Sequence, residues 1–247
     1  MNKITAVIIT LNEKRNIARC LDSLVSVADE VVVVDSFSTD GTADICARYN
    51  LRFVTHEWEG YIATKNYANN LASNDLILSI DADEALSPEL AKSVQEIKGM
   101  DMKGKAYSMN RLMNYCGRWI RHGGWYPDVK VRLFDRRTVR WTGQKVHEIL
   151  AIPEGTQVVP LKGDLLHYSF YTPEEHRLQM EKFATLSAEE MKEQGKYPNL
   201  LTACIHTGWK FLRDYLFKGG FLDGSLGWTI AHNNAHGVWH KYKKARE

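Results

Sequence analysis

Short apolar runs alternate with stretches of helical periodicity along the N-terminal part of the chain. Residues 4–10, 30–35, 51–54 and 76–80 are rich in β-branched and apolar side chains, a pattern typical of buried strands. Between these runs, apolar residues recur at helical spacing over residues 17–25, 42–49 and 61–71. Strands that alternate with helices predict a parallel sheet with right-handed crossovers. We therefore predict an α/β fold with a Rossmann-like, mostly parallel central sheet.

The pattern changes after Asp83. Ser87 and Pro88 predict the cap and first position of a helix, and further strands are predicted near residues 105–113, 129–134 and 161–168. Residues 142–148 are predicted to form a loop. From Thr172, which with Glu175 has the spacing of a capping box, the chain becomes helical. We predict two domains, residues 1–170 and a helical C-terminal extension over residues 171–247.

Carboxylates follow two of the predicted strands at the point where each strand ends. Asp81 and Asp83 are spaced i, i+2 after one strand, and Asp35 ends another. Side chains at that spacing point the same way from an extended backbone, and ligands in open α/β sheets bind beyond the carboxyl ends of the strands. Oxygen ligands of this kind suit a hard divalent cation. The alternative is that these carboxylates cap strand ends and turns.

Composition and charge restrict the setting of the protein. The 247 residues include four cysteines without metal-ligand spacing, and no apolar run has the roughly 20 residues that a membrane-spanning helix needs. The N-terminus lacks the pattern of a signal peptide. We therefore expect a cytoplasmic protein, either free or peripheral on the inner face of the cytoplasmic membrane.

The C-terminal region is basic and aromatic. Residues 196–247 carry eight Lys and Arg against three Asp and Glu, whereas the whole chain has a net charge of only +2. Basic helices with aromatic side chains suit an anionic membrane surface, and the alternative is a packed helical subdomain with solvated lysines. No nucleic-acid-binding motif accompanies the charge, so nucleic acid is not an expected partner.

Three segments resemble glycosyltransferase family 2, which has the GT-A fold. They are Ile8-Ile9-Thr10-Leu11-Asn12-Glu13, Val33-Val34-Asp35-Ser36-Phe37-Ser38-Thr39-Asp40-Gly41-Thr42 and Asp81-Ala82-Asp83. The resemblance covers residues 1–170 and implies a nucleotide-sugar donor, an inverted product and a Mg²⁺ or Mn²⁺ ion on the diphosphate. Since no Gly-x-Gly-x-x-Gly follows the first strand, a dinucleotide oxidoreductase is disfavoured.

The resemblance also implies roles on the donor side. The segment Thr10, Asn12 and Glu13 would lie against the nucleoside, and Asp35 would accept a hydrogen bond from the base, typically uracil. Asp81 would contact the ribose or the metal, and Asp83 would bind the metal. Ser36 departs from the family, which often has a second Asp there, so the base and ribose contacts are less defined.

Two further residues on the donor side have structural alternatives. Lys65 would lie near the phosphates, and its alternative is a solvated helix lysine. His167 would bind the metal or the diphosphate, and its alternative is a buried, hydrogen-bonded histidine.

On the acceptor side, an inverting reaction needs one general base. The resemblance points to Glu148, with Asp128 as a rival, whereas Glu84 would lie too close to the donor phosphates. The alternative for Glu148 is a surface salt bridge to Lys145 or Arg140.

Other residues are predicted to bind the acceptor. Trp125 and Tyr126 would stack on a sugar or, alternatively, pack in the core, and Arg132 would also contact the acceptor. The segments around Arg132 and Glu148 resemble a bacterial subgroup that includes lipopolysaccharide-core β-1,4-glucosyltransferases.

The predicted function is therefore metal-assisted transfer of a hexose, glucose by this resemblance, from a UDP-sugar to a lipopolysaccharide-core or lipid-linked glycan. The alternative in another class is a non-catalytic module that binds a nucleotide-sugar or a glycan.

Overall fold

The computed structural model describes residues 1–144 and 147–247. In chain order its elements are β1 (Ile4–Thr10), α1 (Ile17–Leu24), β2 (Glu30–Asp35), α2 (Thr42–Cys46), β3 (Arg52–Thr55), α3 (Tyr61–Leu71), β4 (Leu76–Asp81), β5 (Glu84–Leu86), α4 (Pro88–Ile97), β6 (Lys105–Tyr115), β7 (Arg118–Ile120), β8 (Asp128–Asp135), β9 (Arg140–Gln144), β10 (His147–Ala151), β11 (Gln157–Phe170), α5 (Pro173–Glu193), α6 (Leu200–Leu212) and α7 (Gly224–Arg246). A π-helical turn (Arg213–Phe217) and a 3-10 turn (Gly220–Asp223) connect α6 to α7.

The chain forms two compact units. Unit 1 comprises residues 1–111 and 129–167, and unit 2 comprises residues 112–128 and 168–247. The predicted division at residue 170 did not include residues 112–128 with the helices. The reason is that β6 and β11 are longer than their predicted strands, so each begins in unit 1 and ends in unit 2.

The sheet of unit 1 is built around four parallel strands in the order β3-β2-β1-β4. β8 continues it antiparallel to β4, and β5 pairs antiparallel with β11. Residues of β1 alternate between two apolar cores, with Ile4, Ala6 and Ile8 on one face and Val7 and Ile9 on the other. Both faces of the strand are buried, as the continuous apolar run predicts. The predicted α/β fold class is confirmed.

The register of the parallel strands aligns the predicted donor-side residues. Thr10 pairs with Asp35 on the neighbouring strand β2, and Ile9 pairs with Asp81 on β4. The carboxyl ends of β1, β2 and β4 therefore meet at one edge of the sheet. Within the predicted loop 142–148, residues 142–144 and 147–148 instead belong to the antiparallel strands β9 and β10, in which Glu148 lies opposite Gly143.

Unit 2 is mainly helical. α7 packs against both α5 and α6. As predicted, α5 begins with a capping box in which Thr172 and Glu175 bond each other's backbone. A small core of aromatic and apolar side chains is formed by Tyr115, Ile120, Phe170 and Ile230. Among the described residues, no helix combines the length and the apolar character needed to span a bilayer.

Candidate active site

The loops after β1 and β2 are joined by side-chain hydrogen bonds. The backbone N–H of Asn12 donates to Ser38 Oγ at 2.7 Å, and Asn12 Oδ1 accepts from the N–H of Thr39 at 2.8 Å. Asn12 adopts a left-handed backbone conformation with φ of 57°, which asparagine tolerates better than most residues. The predicted nucleoside-contacting segment is thus fixed to the loop that follows Asp35.

Asp35 is buried at the end of β2 and caps the turn that follows it. One carboxylate oxygen accepts from the N–H of Ser38 at 2.8 Å, and the other accepts from the Ser38 hydroxyl. The turn-capping interaction considered from the sequence is therefore present. A carboxylate oxygen can accept more than one hydrogen bond, so this contact leaves acceptor capacity. Next to it, the buried hydroxyls of Thr10 and Ser36 have no hydrogen-bond partner in the described part of the chain.

Glu13 and Asp83 contribute negative charge at the same edge of the sheet. Burial raises the pKa of Glu13, a hydrogen bond from Asn16 at 2.8 Å opposes the shift, and the charge of Asp83 adds to it. Asp83 Oδ2 lies 2.9 Å from His167 Nε2. His167, on β11, is mostly buried, and this carboxylate is one of its partners.

The carboxylate of Asp81 is held by two cationic side chains. Its Oδ1 lies 2.9 Å from Lys65 Nζ, and its Oδ2 lies 2.7 Å from Arg132 Nη2. Burial alone would raise the pKa of Asp81, but Arg132 and Lys65 outweigh burial and hold the pKa well below its usual range. Arg132 also bonds Glu84, which is 1% exposed and accepts from the N–H of Asp81. Asp81, Glu84, Arg132 and Lys65 therefore form one charge network, in which only the Asp81 side chain is partly exposed.

Lys65 is not a solvated helix lysine. It is 3% exposed, and its Nζ lies 4.5 Å from the centre of the Trp141 ring and 3.7 Å from Glu148 Oε1. Trp141 is held against α3 by two reciprocal hydrogen bonds between its backbone and the Asn66 side chain, of 2.9 and 3.1 Å. The hairpin that carries Glu148 is thus anchored to the helix that carries Lys65.

A cleft of about 450 Å³ opens in unit 1 over this network. Its polar lining includes Asp81, Arg111, Lys130, Arg132 and Glu148, and its apolar lining comes mainly from β8 and β10. Cationic side chains beside carboxylates suit a ligand that combines phosphate with sugar hydroxyls.

The comparisons with known proteins agree with the motifs. A family model described as "Glycosyl transferase family 2" matches residues 5–144. The chain belongs to glycosyltransferase family 2. It is 32% identical to the lipopolysaccharide core biosynthesis glycosyltransferase LpsC of Rhizobium meliloti, over 98% of this chain and 94% of that protein. It is 45% identical to an uncharacterized glycosyltransferase of Rickettsia conorii, over 99% and 90% of the two chains. Among solved structures, S. aureus TarS in complex with UDP is 18% identical over 99% and 89% of the chains, with a TM-score of 0.47.

The divalent cation implied by family 2 fits some of the predicted ligands. In the described residues, no three His, Cys, Asp or Glu side chains converge as a metal centre. Both oxygens of Asp81 face Lys65 or Arg132, and metal binding by this carboxylate stays a prediction. Asp83 and His167 do converge, and Mg²⁺ or Mn²⁺ in phosphate-binding sites is commonly held by one or two protein ligands together with the phosphates.

The predicted acceptor residues are not all found together. Arg132 lines the cleft, but its guanidinium already bonds Asp81 and Glu84, which differs from a direct role toward the acceptor. Trp125 belongs to unit 2 and packs edge-on against Tyr115, with ring centres 5.7 Å apart. Tyr126 and Asp128 also belong to unit 2, and the ring of Tyr126 lies under the Arg121 guanidinium. Acceptor roles for these residues stay predictions.

Two aromatic residues of this glycosyltransferase lie beside the charge network but were not predicted from the sequence. Trp141 covers Lys65, and its buried indole N–H has no partner among the described residues. Tyr61 begins α3, and the pKa of its hydroxyl is raised by burial and by the negative charges of Glu148 and Asp81. No local pattern marks either residue, because both contacts join segments that are distant along the chain.

Lys145 and Val146 lie outside the described residues; the ion-pair contact that the structure gives Glu148 is with Lys65.

Proposed function

We propose that this glycosyltransferase transfers a hexose, specifically glucose, from a UDP-sugar to a lipopolysaccharide-core or lipid-linked glycan, with inversion and with a divalent cation. The acceptor class is supported by the similarity over nearly the whole chain to LpsC, whose name places that protein in lipopolysaccharide core biosynthesis. The donor class is supported by the family and by the cleft beside the end of β4, whose lining includes the cationic side chains of Arg111, Lys130 and Arg132.

One observation carries the catalytic part of the proposal. Lys65 Nζ lies within 2.9 Å of Asp81 and within 3.7 Å of Glu148. The carboxylate at the strand end and the candidate base are thus brought to one wall of one cleft, although they are far apart in sequence. An inverting transfer needs this proximity, because the acceptor hydroxyl must lose its proton next to the anomeric carbon of the donor.

On the donor side, Asp83 and His167 would hold the cation against the diphosphate. When bound, the cation would neutralise negative charge as the diphosphate leaves. Lys65 and Arg132 keep Asp81 ionised and oriented, so its oxygens are fixed before the donor arrives. The buried hydroxyls of Thr10 and Ser36 offer unused hydrogen-bonding groups where the nucleoside would lie.

On the acceptor side, Glu148 is the proposed base. Its side chain is 25% exposed at the cleft wall, and so it can be reached by a hydroxyl while Lys65 orients it. Glu84 is fully enclosed by Arg132 and the backbone of Asp81, which removes it as an alternative. Asp128 remains the rival.

The first test replaces the base. Glu148→Gln keeps the shape of the side chain but cannot take a proton, and loss of a general base typically lowers kcat by about 10² to 10⁴. UDP-glucose affinity, measured by calorimetry, should stay within about twofold. The matched control is Glu154→Gln, an exposed residue of unit 1, which should leave both quantities unchanged. If Glu148→Gln weakens donor binding and leaves kcat intact, Glu148 belongs to the donor site and Asp128 becomes the preferred base.

The second test separates the cation from the fold. Asp83→Ala should abolish the Mn²⁺-dependent part of UDP binding without lowering the melting temperature, since this side chain is partly exposed at a strand end. Asp44→Asn, on the exposed side of α2, is the control. Full turnover of Asp83→Ala with Mn²⁺ supplied would contradict the metal assignment. A wild-type protein that binds UDP-sugars but never releases UDP would favour the non-catalytic alternative.

A further inference from the structure

The outward side of α6 is apolar, the reverse of what a helix at a water-exposed surface normally shows. Leu201, Ile205, Trp209 and Leu212 of α6, with Leu216 of the π-helical turn that follows, recur at spacings of three and four residues, and each is between 44% and 69% exposed. We call these five residues the apolar face. A single exposed Leu needs no explanation, but a continuous stripe of large apolar side chains along a helix marks an interaction surface.

Aromatic side chains extend the apolar face into the following turns. Phe217 is 72% exposed and lies 5.6 Å from Trp209 between ring centres, and Phe221 and Leu222 are also exposed. Trp228, on α7, is exposed and packs edge-on against Phe211 and Tyr215. Tryptophan and phenylalanine beside leucine are typical of helices that lie in the interface of a bilayer.

The charges around the apolar face have one sign. Residues 200–222, all described by the structure, contain Lys210, Arg213 and Lys218 and a single carboxylate, Asp214. Asp214 is 2% exposed, with Lys210 Nζ at 2.7 Å and Arg213 Nε at 3.0 Å. The exposed charge of this segment is therefore cationic.

The other end of the face has further cations. A cavity of about 250 Å³ beside Leu200 is lined by Lys243 and Arg246 of α7, together with Glu247. Glu247, the last residue, lies 3.5 Å from Lys244. Basic residues thus flank the apolar face at both ends.

We propose that the apolar face of unit 2 docks on a membrane surface that carries anionic headgroups. The apolar and aromatic side chains would enter the interface, and Lys218, Lys243 and Arg246 would meet the negative surface potential. A second copy of the chain fits less well, because a symmetric contact would bring two cationic rims together. The inference is independent of the reaction, since it uses residues of unit 2 alone.

The choice of variants follows from Asp214. Replacing Lys210 and Arg213 would leave a buried carboxylate without its partners, so loss of folding could imitate loss of binding. Lys218, Lys243 and Arg246 are exposed, and their replacement leaves the ion pairs of Asp214 with Lys210 and Arg213 in place. The charge variant is therefore K218Q/K243Q/R246Q, and the apolar variant is L201Q/I205Q/L212Q. The control, K92Q/K103Q/K162Q, removes the same charge from exposed sites of unit 1.

The test is flotation of the full chain with vesicles of equal parts phosphatidylglycerol and phosphatidylcholine, and with phosphatidylcholine alone. Wild type and control should float with the anionic vesicles. The charge variant should lose about 10²-fold in partition, since each basic residue near such a surface contributes roughly fivefold. The apolar variant should lose at least roughly tenfold, and 1 M salt, where the Debye length is about 3 Å, should weaken wild-type binding. Circular dichroism melts check that each variant is folded.

Three results would overturn the proposal. One is wild-type protein that stays in the bottom fraction with anionic vesicles at low salt. Another is equal vesicle binding by folded wild type and folded apolar variant. The third is a concentration-dependent dimer in sedimentation that the apolar variant abolishes, which would assign the face to a second copy.

Discussion

The strand-end edge of unit 1 and the apolar face of unit 2 depart from the usual distribution of side chains in opposite ways. In unit 1, Lys65, Arg132 and Glu84 are buried. In unit 2, Leu201 and Ile205 are exposed. Burying charge is costly unless each group is paired, and exposing apolar surface forgoes the main driving force of folding. Neither arrangement is what stability alone would select.

The difference between the two regions lies in how each cost is met. The buried charges of unit 1 pair with one another at 2.7 to 2.9 Å, so each charged group has an opposite charge within the protein. The apolar face makes no such internal compensation, because its five side chains point outward. A site that must be rigid before its ligand arrives is expected to be self-satisfied, whereas a docking surface is completed only by its partner.

The first prediction breaks the unit 1 network. Arg132→Met removes the guanidinium that Glu84 and Asp81 share, and leaves a fully buried carboxylate with weaker compensation. Removing one partner of a buried ion pair typically costs about 3 to 5 kcal/mol. The free energy of unfolding should fall by that amount in urea. Arg137→Gln, which removes an arginine exposed at the surface beside Asp75 and Asp135, should cost under about 1 kcal/mol. If Arg132→Met costs no more than the Arg137→Gln control, the buried charges do not depend on Arg132 for their compensation.

The second prediction concerns a buried histidine of unit 2. His176 lies within 3.2 Å of the Tyr115 hydroxyl and among aromatic rings, and burial lowers its pKa to about 4. The unfolded chain binds a proton below about pH 6.5, whereas the folded chain resists protonation until about pH 4. Stability should therefore fall as the pH drops through this window, by up to about 3 kcal/mol. Urea unfolding of wild type and His176→Gln at several pH values isolates the loss of stability that is due to His176. The variant should lack this loss. Parallel pH curves for the two proteins would refute it.

Features that depend on local pattern could be predicted from the sequence. The parallel strands of unit 1 follow from their β-branched runs, and the caps at Ser87 and Thr172 follow from residue type and spacing. Asp35, Asp81 and the loop after Thr10 were expected at one edge because carboxyl ends of parallel strands meet there.

Features that depend on contacts between distant segments could not be predicted from the sequence. Burial of Lys65 needs Trp141, which lies on β9, a strand that the sequence did not predict. The ion pairs of Arg132 with Asp81 and Glu84, which lie about 50 residues earlier, are likewise invisible to local pattern. The helix of the apolar face was identified from its composition, but which of its sides is exposed depends on packing against α7.

The last prediction compares the same residue type in the two regions and has the smallest expected effect. Ile205 is 57% exposed on the apolar face, and its replacement by Ala should change the free energy of unfolding by no more than about 0.5 kcal/mol. Ile8 is 0% exposed in the core of unit 1, and the same change there should cost about 2 to 5 kcal/mol, since it removes buried methyl groups and leaves a cavity. Urea unfolding of both variants gives the two values side by side. If Ile205→Ala costs as much as Ile8→Ala in lipid-free solution, the side chain is already covered by protein. The outward stripe of α6 would then belong to an interface between copies of the chain rather than to a surface that awaits a membrane.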